Sequence, residues 1–285
     1  MLEQQIAIAQ TDPPLSAKQT LPTMYDLPSE DPEEPGLPDE FHALQPQLLS
    51  RTLRLPSYSP SRLFVGSDLN LYYDVRHPLW HKRPDWFLVL DVSRLYEGHD
   101  LRSSYVVWQE GVNPFLVVEL LSPGTEKEDL GELALVADTA PTTAAETTAS
   151  NGEPNPETPP RKWDVYERIL RVPYYVVFSR YTNSLRVFKL DGGCYREQPI
   201  NAEKPQLWIP EIKLGLGVWQ GEYEGINRSW LRWYDDQGNW VPTDVELAVA
   251  EAERERQKRL QLASKLKSLS LEQLAALGIN LEDLT

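Results

Sequence analysis

The chain has 285 residues, 41% of them hydrophobic, which is enough material for one sizeable domain with appendages. Its formal net charge is −15, so its electrostatics do not favour strong non-specific binding to a polyanion such as DNA. The single cysteine, Cys194, excludes an intrachain disulfide framework and a cluster of thiolate metal ligands.

The acidic excess is concentrated in two segments. Residues 1–45 hold nine acids and one lysine, and residues 131–160 hold five acids and no base, so together they carry −13 of the −15 charge. Residues 46–130 and 161–241 hold 21 acids and 21 bases, so the predicted core is neutral. A neutral core is still not the basic surface that is typical of proteins that bind DNA non-specifically.

The distribution of apolar residues predicts three parts. Residues 1–38 are rich in proline and acids and predict an acidic N-terminal tail. Residues 39–241 predict one domain, interrupted at 130–160 by a low-complexity acidic insertion of Thr, Ala and Pro. Residues 242–285 predict a charged C-terminal helical segment.

Nothing in the sequence predicts contact with a membrane. The longest apolar stretches are under ten residues, too short to span a bilayer. The first residues lack the basic start and the apolar block of a secretory signal. We therefore expect a cytoplasmic protein.

The predicted elements alternate between helices and strands. In chain order they are a helix from Asp39 to about Thr52, one or two strands within 63–73, a strand after Asp85, a short extended segment at 104–108, a strand around Glu119, a helix over 161–171, and strands at 174–178 and 185–190. The Asp191–Cys194 segment, with its two glycines, predicts a hairpin turn. The order predicts an α/β fold with a mixed sheet flanked by helices.

The C-terminal segment carries two helix-start signals. Thr243 and Glu246 form a capping box that opens a charged helix, and Ser270-Leu271-Glu272-Gln273 opens a short second helix ending at Gly278. Apolar positions are sparse until Leu260. The segment is therefore either a solvent-exposed helical tail or a self-association element such as a short coiled coil.

Asp85 and Glu119 are the candidate site residues that the sequence marks most clearly. Each belongs to an apolar stretch bounded by proline that is typical of a strand. Burying a lone carboxylate among Val and Leu costs roughly several kcal/mol or leaves the group protonated. Each acid therefore requires a partner. Two carboxylates on neighbouring strands can hold one divalent cation. In the alternative interpretation Asp85 caps a turn after Pro84, and Glu119 lies at a strand end beside an arginine.

Other motifs predict no further chemistry. His77 and His81 are four residues apart, but Pro78 between them makes a zinc site improbable. The sequence contains neither a glycine-rich phosphate loop nor a recognisable Ser, Cys or Thr nucleophile motif.

An ordered set of motifs resembles the Uma2 family of restriction-endonuclease-like proteins. The set comprises Arg83-Pro84-Asp85, the run from Val118 to Thr125, Asp129, Lys162 with Tyr166 four residues later, and Val172-Pro173-Tyr174-Tyr175-Val176-Val177. The family is abundant in cyanobacteria and belongs to the PD-(D/E)XK nuclease superfamily. The resemblance covers roughly residues 40–220.

The resemblance implies a restriction-endonuclease-like mixed sheet and a magnesium-dependent endonuclease that hydrolyses DNA phosphodiester bonds. Asp85, Glu119 and the main-chain carbonyl of Leu120 are then ligands of Mg²⁺ or Mn²⁺, ions that prefer hard oxygen donors. Such a cation polarises the phosphodiester and lowers the pKa of a bound water. The partner is DNA, and a homodimer through the domain or the C-terminal helix is an expectation.

The sequence departs from the superfamily pattern at Leu121. The pattern has a lysine two residues after the glutamate, and leucine cannot orient a water molecule. The resemblance implies that Lys162 supplies this cation from a helix, since a long flexible stem makes such a relocation possible. The alternative is that Lys162 is an ordinary helix residue facing solvent.

Four further residues are accessory candidates. Asp129, Tyr166 and His42 match family positions, and Arg161 is a candidate phosphate clamp beside Lys162, although a cation at a helix N-terminus is slightly disfavoured. His42 and Lys162 also have ordinary surface roles as alternatives.

Two other functions remain open from the sequence. Because Leu121 replaces the usual lysine, the chain is alternatively a catalytically inactive binding or scaffold module that keeps the nuclease fold. A third hypothesis is a nuclease whose acidic residues 1–38 cover the cleft as a phosphate mimic.

Overall fold

A six-stranded mixed sheet lies at the centre of the protein, for which a computed structural model describes residues 39–122, 126–131 and 158–267. The strands are β1 (Leu63–Gly66), β2 (Leu71–Tyr72), β3 (His81–Lys82), β4 (Trp86–Leu90), β5 (Tyr105–Val106), β6 (Leu116–Leu121), β7 (Tyr174–Ser179), β8 (Ser184–Asp191), β9 (Cys194–Glu197), β10 (Gln206–Ile209), β11 (Leu214–Tyr223) and β12 (Ile226–Tyr234). The helices are α1 (Glu40–Thr52), α2 (Val107–Glu110), α3 (Glu126–Leu130), α4 (Lys162–Asp164) and α5 (Asp244–Lys267).

The central sheet has the strand order β1-β4-β6-β7-β8-β9, and only β6 and β7 pair in parallel. Apart from Glu119 in β6, these two strands are largely apolar on both faces and almost fully buried, as expected for parallel strands covered on both sides. The helices that flank the sheet and the helix that follows it confirm the predicted α/β class.

Helix α1 and a second sheet cover one face of the central sheet. The second sheet is antiparallel, in the order β10-β11-β12. The amide of Gln45 exchanges two hydrogen bonds with the main chain of Leu231, at 2.9 and 2.8 Å, and Trp233 donates to the carbonyl of Leu49 at 3.0 Å. Trp86 and Val118 lie in the core that this packing encloses.

The opposite face of the central sheet packs against α3, α4 and the turn after α4. Val117, Tyr166, Tyr175 and Phe188 are fully buried in this second core. Residues Val165–Ile169 form a π-helical turn that continues α4, and the amide of Leu170 donates to the carbonyl of Val165 at 2.9 Å. A small third sheet, in the order β3-β2-β5, borders this core.

The predicted elements agree with the structure except at one segment. Helix α1 begins one residue after the predicted start at Asp39, which is instead its N-cap and accepts a hydrogen bond from the amide of His42. Gly192 and Gly193 have φ of 60° and 95°, which confirms the predicted hairpin turn. The extended segment predicted at 104–108 is wrong beyond Val106, because β5 pairs only with the two-residue β2 and the chain then turns into α2.

The predicted capping box at the start of α5 is confirmed. The amide of Thr243 donates to Glu246 Oε2 at 2.7 Å, and the amide of Glu246 donates to Thr243 Oγ1 at 3.2 Å. From Asp244 to Lys265 the helix is exposed to solvent. The predicted tail over 1–38, most of the predicted insertion over 130–160 and the second capping box lie outside the described residues. Among the helices that are described, none is both long and apolar enough to cross a bilayer.

Candidate active site

Asp85 and Glu119 meet at one end of the central sheet. The antiparallel register pairs Trp86 with Val118, so Asp85 and Glu119 occupy the next position beyond this pair. The amide of Leu120 donates a hydrogen bond of 2.6 Å to Asp85 Oδ2, which ties the Asp85 carboxylate to β6. Because side chains alternate along a strand, both acids belong to the sheet face that packs against α3 and α4.

Lys162 reaches this face from α4 and stands between two carboxylates. Its Nζ lies 2.9 Å from Glu119 Oε2 and 3.2 Å from Asp129 Oδ1, and its side chain is 18% exposed. The alternative in which Lys162 faces solvent does not agree with this geometry. Glu119 likewise has a lysine partner and not the arginine of the alternative interpretation.

The second oxygen of Glu119 is held by the turn after α4. Tyr166 donates a hydrogen bond of 2.7 Å from its hydroxyl to Glu119 Oε1, and both side chains are fully buried. Lys162 and Tyr166 are four residues apart and therefore bind the two oxygens of one carboxylate. This arrangement fixes the orientation of the Glu119 carboxylate.

Three residues to which the sequence assigned no role position Lys162 and Asp129. Glu128 Oε1 accepts a hydrogen bond of 3.0 Å from the amide of Lys162 and lies 2.6 Å from Lys82 Nζ. Tyr175 donates from its hydroxyl to the carbonyl of Asp129 at 2.8 Å. Glu128 adjoins Asp129, and Lys82 lies just before the Pro84-Asp85 motif. Closeness to these motifs in the sequence does not reveal that Glu128 and Lys82 contact each other.

His42 contacts the strand that carries Glu119. Its Nε2 lies 3.0 Å from the carbonyl oxygen of Leu120, and its Nδ1 lies 2.8 Å from Asp39 Oδ1. Both partners are acceptors, so the ring satisfies both contacts only as an imidazolium with two N–H donors. Burial lowers the pKa of His42, but Asp39 and Asp85 raise it more, so the net pKa lies above the ordinary value.

Burial and charge shift the pKa values of the central acids and of Lys162. Burial raises the pKa of Glu119 well above its ordinary range, and Asp129 and Asp85 add to this against the opposing effect of Lys162. Burial also raises the pKa of Asp85. For Lys162 burial lowers the pKa, but the neighbouring carboxylates outweigh it and hold the net pKa well above the usual value. Lys162 is therefore an ammonium group at neutral pH.

The donor atoms of this cluster fit a small, hard divalent cation. The carboxylates of Asp85, Glu119 and Asp129 outnumber the single ammonium of Lys162, and the buried Asp129 Oδ1 has no partner among the described residues besides its 3.2 Å ion-pair contact with Lys162. Among those residues, no group of three or more His, Cys, Asp or Glu side chains is arranged so that it could hold a metal ion. Mg²⁺ does not require such a group, because one or two carboxylates with water molecules suffice. The carbonyl of Leu120 keeps a second lone pair beside its contact with His42.

Within the described ranges of the chain, the other residues that the sequence singled out make no hydrogen bond or ion pair with the carboxylates of this cluster. Arg161 is exposed at the start of α4. His77 contacts Asp74 at 3.0 Å and stacks on Trp80, while exposed His81 bonds to the carbonyl of Leu79. Leu121, in place of the usual lysine, is half-buried and packs against the core beneath the site.

A family model matches most of the chain. The model, described as "Uma2: Putative restriction endonuclease", matches residues 18–220, which are 203 of the 285 residues. The matched span contains Asp85, Glu119, Asp129 and Lys162. No curated protein matches the chain.

Proposed function

The chain belongs to the Uma2 family, and from this premise we propose that it is an endonuclease that hydrolyses DNA phosphodiester bonds with a divalent metal ion. The observation that carries the proposal is the convergence of Asp85, Glu119 and Lys162 at one end of β4 and β6. A mixed sheet that presents two carboxylates and an ammonium group at one edge agrees with the restriction-endonuclease-like fold.

The ligands of the metal ion would be the carboxylates of Asp85 and Glu119 and the carbonyl of Leu120. A bound Mg²⁺ or Mn²⁺ supplies a Lewis acid and lowers the pKa of a coordinated water. Asp85 is fixed by the amide of Leu120 and Glu119 by Tyr166, so both carboxylates are oriented in advance. Preorganised ligands of this kind lose little conformational entropy when they bind.

Lys162 would act as a hydrogen-bond donor and as a positive charge. Its raised pKa keeps it protonated, so it orients the attacking water or the phosphate and does not remove a proton. In the absence of substrate its charge is shared between Glu119 and Asp129. Asp129 therefore positions Lys162. In this role Lys162 takes the place of the lysine that the superfamily pattern has at the position of Leu121.

Leu121 supports the second candidate function, a nuclease fold that binds a partner without catalysis. The two functions differ in their need for a metal ion, because a scaffold has no reason to bind one. Calorimetric titration with Mn²⁺ separates them: heat of binding that Asp85→Asn abolishes supports the nuclease. Binding of DNA without binding of Mn²⁺ supports the scaffold.

The direct test is cleavage of supercoiled plasmid in Mg²⁺ or Mn²⁺. We expect nicking by the wild-type protein and a loss of at least about a hundredfold in the Asp85→Asn, Glu119→Gln double variant. An Asp191→Asn variant, changed at an exposed acid that pairs with Arg196 on the β8–β9 hairpin, is the matched control and should retain activity. Equal nicking by the wild-type protein and the double variant, across DNA and RNA substrates, contradicts the proposal.

If residues 1–38 restrain the enzyme as a phosphate mimic, their removal should raise its activity. The comparison uses the full chain and a chain that begins at Asp39, the N-cap of α1. Unchanged activity disposes of autoinhibition and leaves the nuclease proposal intact.

A further inference from the structure

Two arginines lie together beyond the candidate active site. Arg180 follows the last residue of β7, next to the end of β6, and Arg228 belongs to β12. Arg228 donates from Nη2 to the carbonyl of Arg180 at 3.2 Å. The guanidinium of Arg228 lies 4.4 Å from the centre of the Phe41 ring, and that of Arg180 lies 4.7 Å from the centre of the Tyr181 ring.

The two guanidinium groups share few compensating partners in the described parts of the chain: Arg180 Nη2 donates to the Tyr181 hydroxyl at 2.9 Å. Arg180 Nη2 lies 2.5 Å from Asp39 Oδ2, and Asp39 also contacts His42. The Nε atoms of both arginines are buried without a hydrogen-bond partner among the described residues. Of the residues that the structure describes, Asp39 thus provides the one carboxylate in ion-pair contact with this pair of arginines.

A series of direct contacts joins this cluster to the active site. His42 bridges the carbonyl of Leu120 and Asp39 Oδ1, and Asp39 Oδ2 contacts Arg180. His42 also lines an open cleft of about 430 Å³ between α1 and the loop after β1. The arginines therefore lie along the same sheet edge as the candidate metal ligands and not on an unrelated surface.

We infer that Arg180 and Arg228 form a phosphate subsite that binds the nucleic-acid backbone beside the scissile bond, an inference that rests on the proposed function. A guanidinium group presents a planar fork of donors that matches phosphate oxygens, and it binds them better than an ammonium group does. Two guanidinium charges beside one carboxylate favour an additional anion here. The carboxylate of Asp39 contacts Nη2 of Arg180, where an oxygen of a bound phosphate would lie in its place.

A purely structural role for the arginines makes different predictions. If Arg180 only anchors the start of α1 through Asp39, then removal of either charge lowers stability and leaves nucleic-acid binding unchanged. If the pair binds phosphate, Asp39 competes with the ligand. Asp39→Asn, which keeps an N-cap residue, then strengthens binding, whereas Arg228→Gln weakens it.

The experiment is binding of a fluorescent DNA duplex, followed by anisotropy in EDTA at several salt concentrations. For Arg228→Gln we expect about tenfold weaker binding and a salt slope smaller by about one, the signature of one lost phosphate contact. Arg228→Lys keeps the charge and should recover part of the affinity. Asp39→Asn should bind about threefold more tightly or better, since one competing charge is removed.

The matched control is Arg196→Gln, which removes an exposed arginine that pairs with Asp191 on the β8–β9 hairpin. It should change neither affinity nor slope beyond error. Unchanged binding by Arg228→Gln, or weaker binding by Asp39→Asn in a folded protein, overturns the subsite while plasmid cleavage still stands. Failure of the wild-type protein both to bind and to cleave nucleic acid overturns the proposed function and the subsite together.

Discussion

Lys162 is the residue on which the chemistry of the site depends, because its ammonium group stands among carboxylates that repel one another. Glu119 is fully buried, and Asp129 is 1% exposed. Buried charges of one sign require either a counter-ion or protonation. In the absence of metal Lys162 is the counter-ion, and a divalent cation would take over much of this task and release Lys162 toward the substrate.

Lys162→Met should therefore separate metal binding from catalysis. We expect cleavage to fall by about 10²–10³, as when one transition-state donor is removed. Affinity for Mn²⁺ should stay equal or increase, because a positive charge that competes for Glu119 is gone. Plasmid nicking and calorimetry measure the two effects. Lys189→Met, at a lysine that pairs with Glu211, is the control, and a parallel loss of Mn²⁺ binding in Lys162→Met contradicts the assignment.

Asp85→Asn should change how the stability of the metal-free protein depends on pH. Burial raises the pKa of Asp85 in the folded state, so the folded protein retains a proton that the unfolded chain has released. Stability is then complete below the unfolded pKa and falls as pH rises toward the folded pKa, by about 1.4 kcal/mol for each pH unit between the two pKa values. Asn lacks this titration and can still accept from Leu120.

The measurement for Asp85 is urea unfolding in EDTA between about pH 4 and about pH 8, with Asp68→Asn as an exposed control. We expect Asp85→Asn to gain stability relative to the wild-type protein as pH rises. Parallel curves for the two proteins contradict a raised pKa. Addition of Mn²⁺ should stabilise the wild-type protein and not Asp85→Asn, if Asp85 is a ligand.

At the scale of elements, the short helix α4 and the π-helical turn that follows it together place Lys162 and Tyr166 on one carboxylate. A π-helical turn widens the backbone, and such turns often occur at functional sites. Here the turn over Val165–Ile169 buries Tyr166 while α4 directs Lys162 to the same carboxylate. A predicted helix over 161–171 contains both residues but does not reveal this change of hydrogen-bonding pattern.

The start of α5 offers a test of how this helix is attached. Glu246 completes the capping box and forms an ion pair with the guanidinium of Arg232, whose side chain is 4% exposed. Glu246→Ala removes the cap and leaves a buried charge without its carboxylate, so we expect a loss of about 2 kcal/mol. The exposed Glu251→Ala should stay within about 0.5 kcal/mol.

The contribution of Glu246 to the free energy of unfolding should depend on pH in the acid range. Burial alone would raise the pKa of Glu246, but Arg232 and the amide of Thr243 lower it below the ordinary value. The contribution is therefore present above the unfolded pKa and lost as pH falls through the folded one. Chemical unfolding at neutral and acidic pH tests this, and a destabilisation by Glu246→Ala that does not diminish in acid contradicts it.

Some parts of this fold were predictable from local patterns and others were not. Apolar runs between prolines predicted β4 and β6, and the register between them brings Asp85 opposite Glu119. The sheet of β10, β11 and β12 gave no clear signal, because glycines and exposed polar residues interrupt its alternation. Its order depends on long-range contacts such as those of Gln45 with Leu231, which no local pattern encodes.

The site shows the same division. The resemblance named Lys162 and Tyr166 as candidates, because they match a motif with fixed spacing. The roles of Glu128 and Lys82 depend on an ion pair between residues 46 positions apart, and sequence separation on that scale carries no geometric information. The arginine pair likewise joins β7 to β12 and is visible only in three dimensions.

At the scale of the whole molecule, α5 has opposite charges in its two halves. Residues 244–255 contain five acids and one base, a net −4, and residues 256–267 contain five bases and no acid, a net +5. The helix is about 36 Å long, and Val249, Leu260 and Leu262 are exposed on it. Two copies in antiparallel orientation would place each acidic half against a basic half, so we expect α5 to form a homodimer.

Sedimentation equilibrium at micromolar protein tests this self-association. Deletion of residues 251–285 keeps Glu246 on Arg232 and should yield a monomer. Arg256→Glu with Arg259→Glu should weaken the dimer, as should added salt. A full-length chain that stays monomeric across the concentration range contradicts the prediction, and dimerisation of the truncated chain would place the interface in the domain instead.

The contact between Glu128 and the amide of Lys162 has a consequence for how this protein can vary. The two residues lie on either side of residues 132–157, yet the amide nitrogen of Lys162 is 3.0 Å from Glu128 Oε1. Gly131 and Trp163 are also close, because a Cβ at Gly131 would lie 3.4 Å from Cγ of Trp163. The two ends of this segment are thus close together in space. The entropic cost of closing a loop between them grows only slowly with the length of the loop. We therefore expect that residues 132–157 can be lengthened, shortened or replaced by a reporter without relocating either half of the active site.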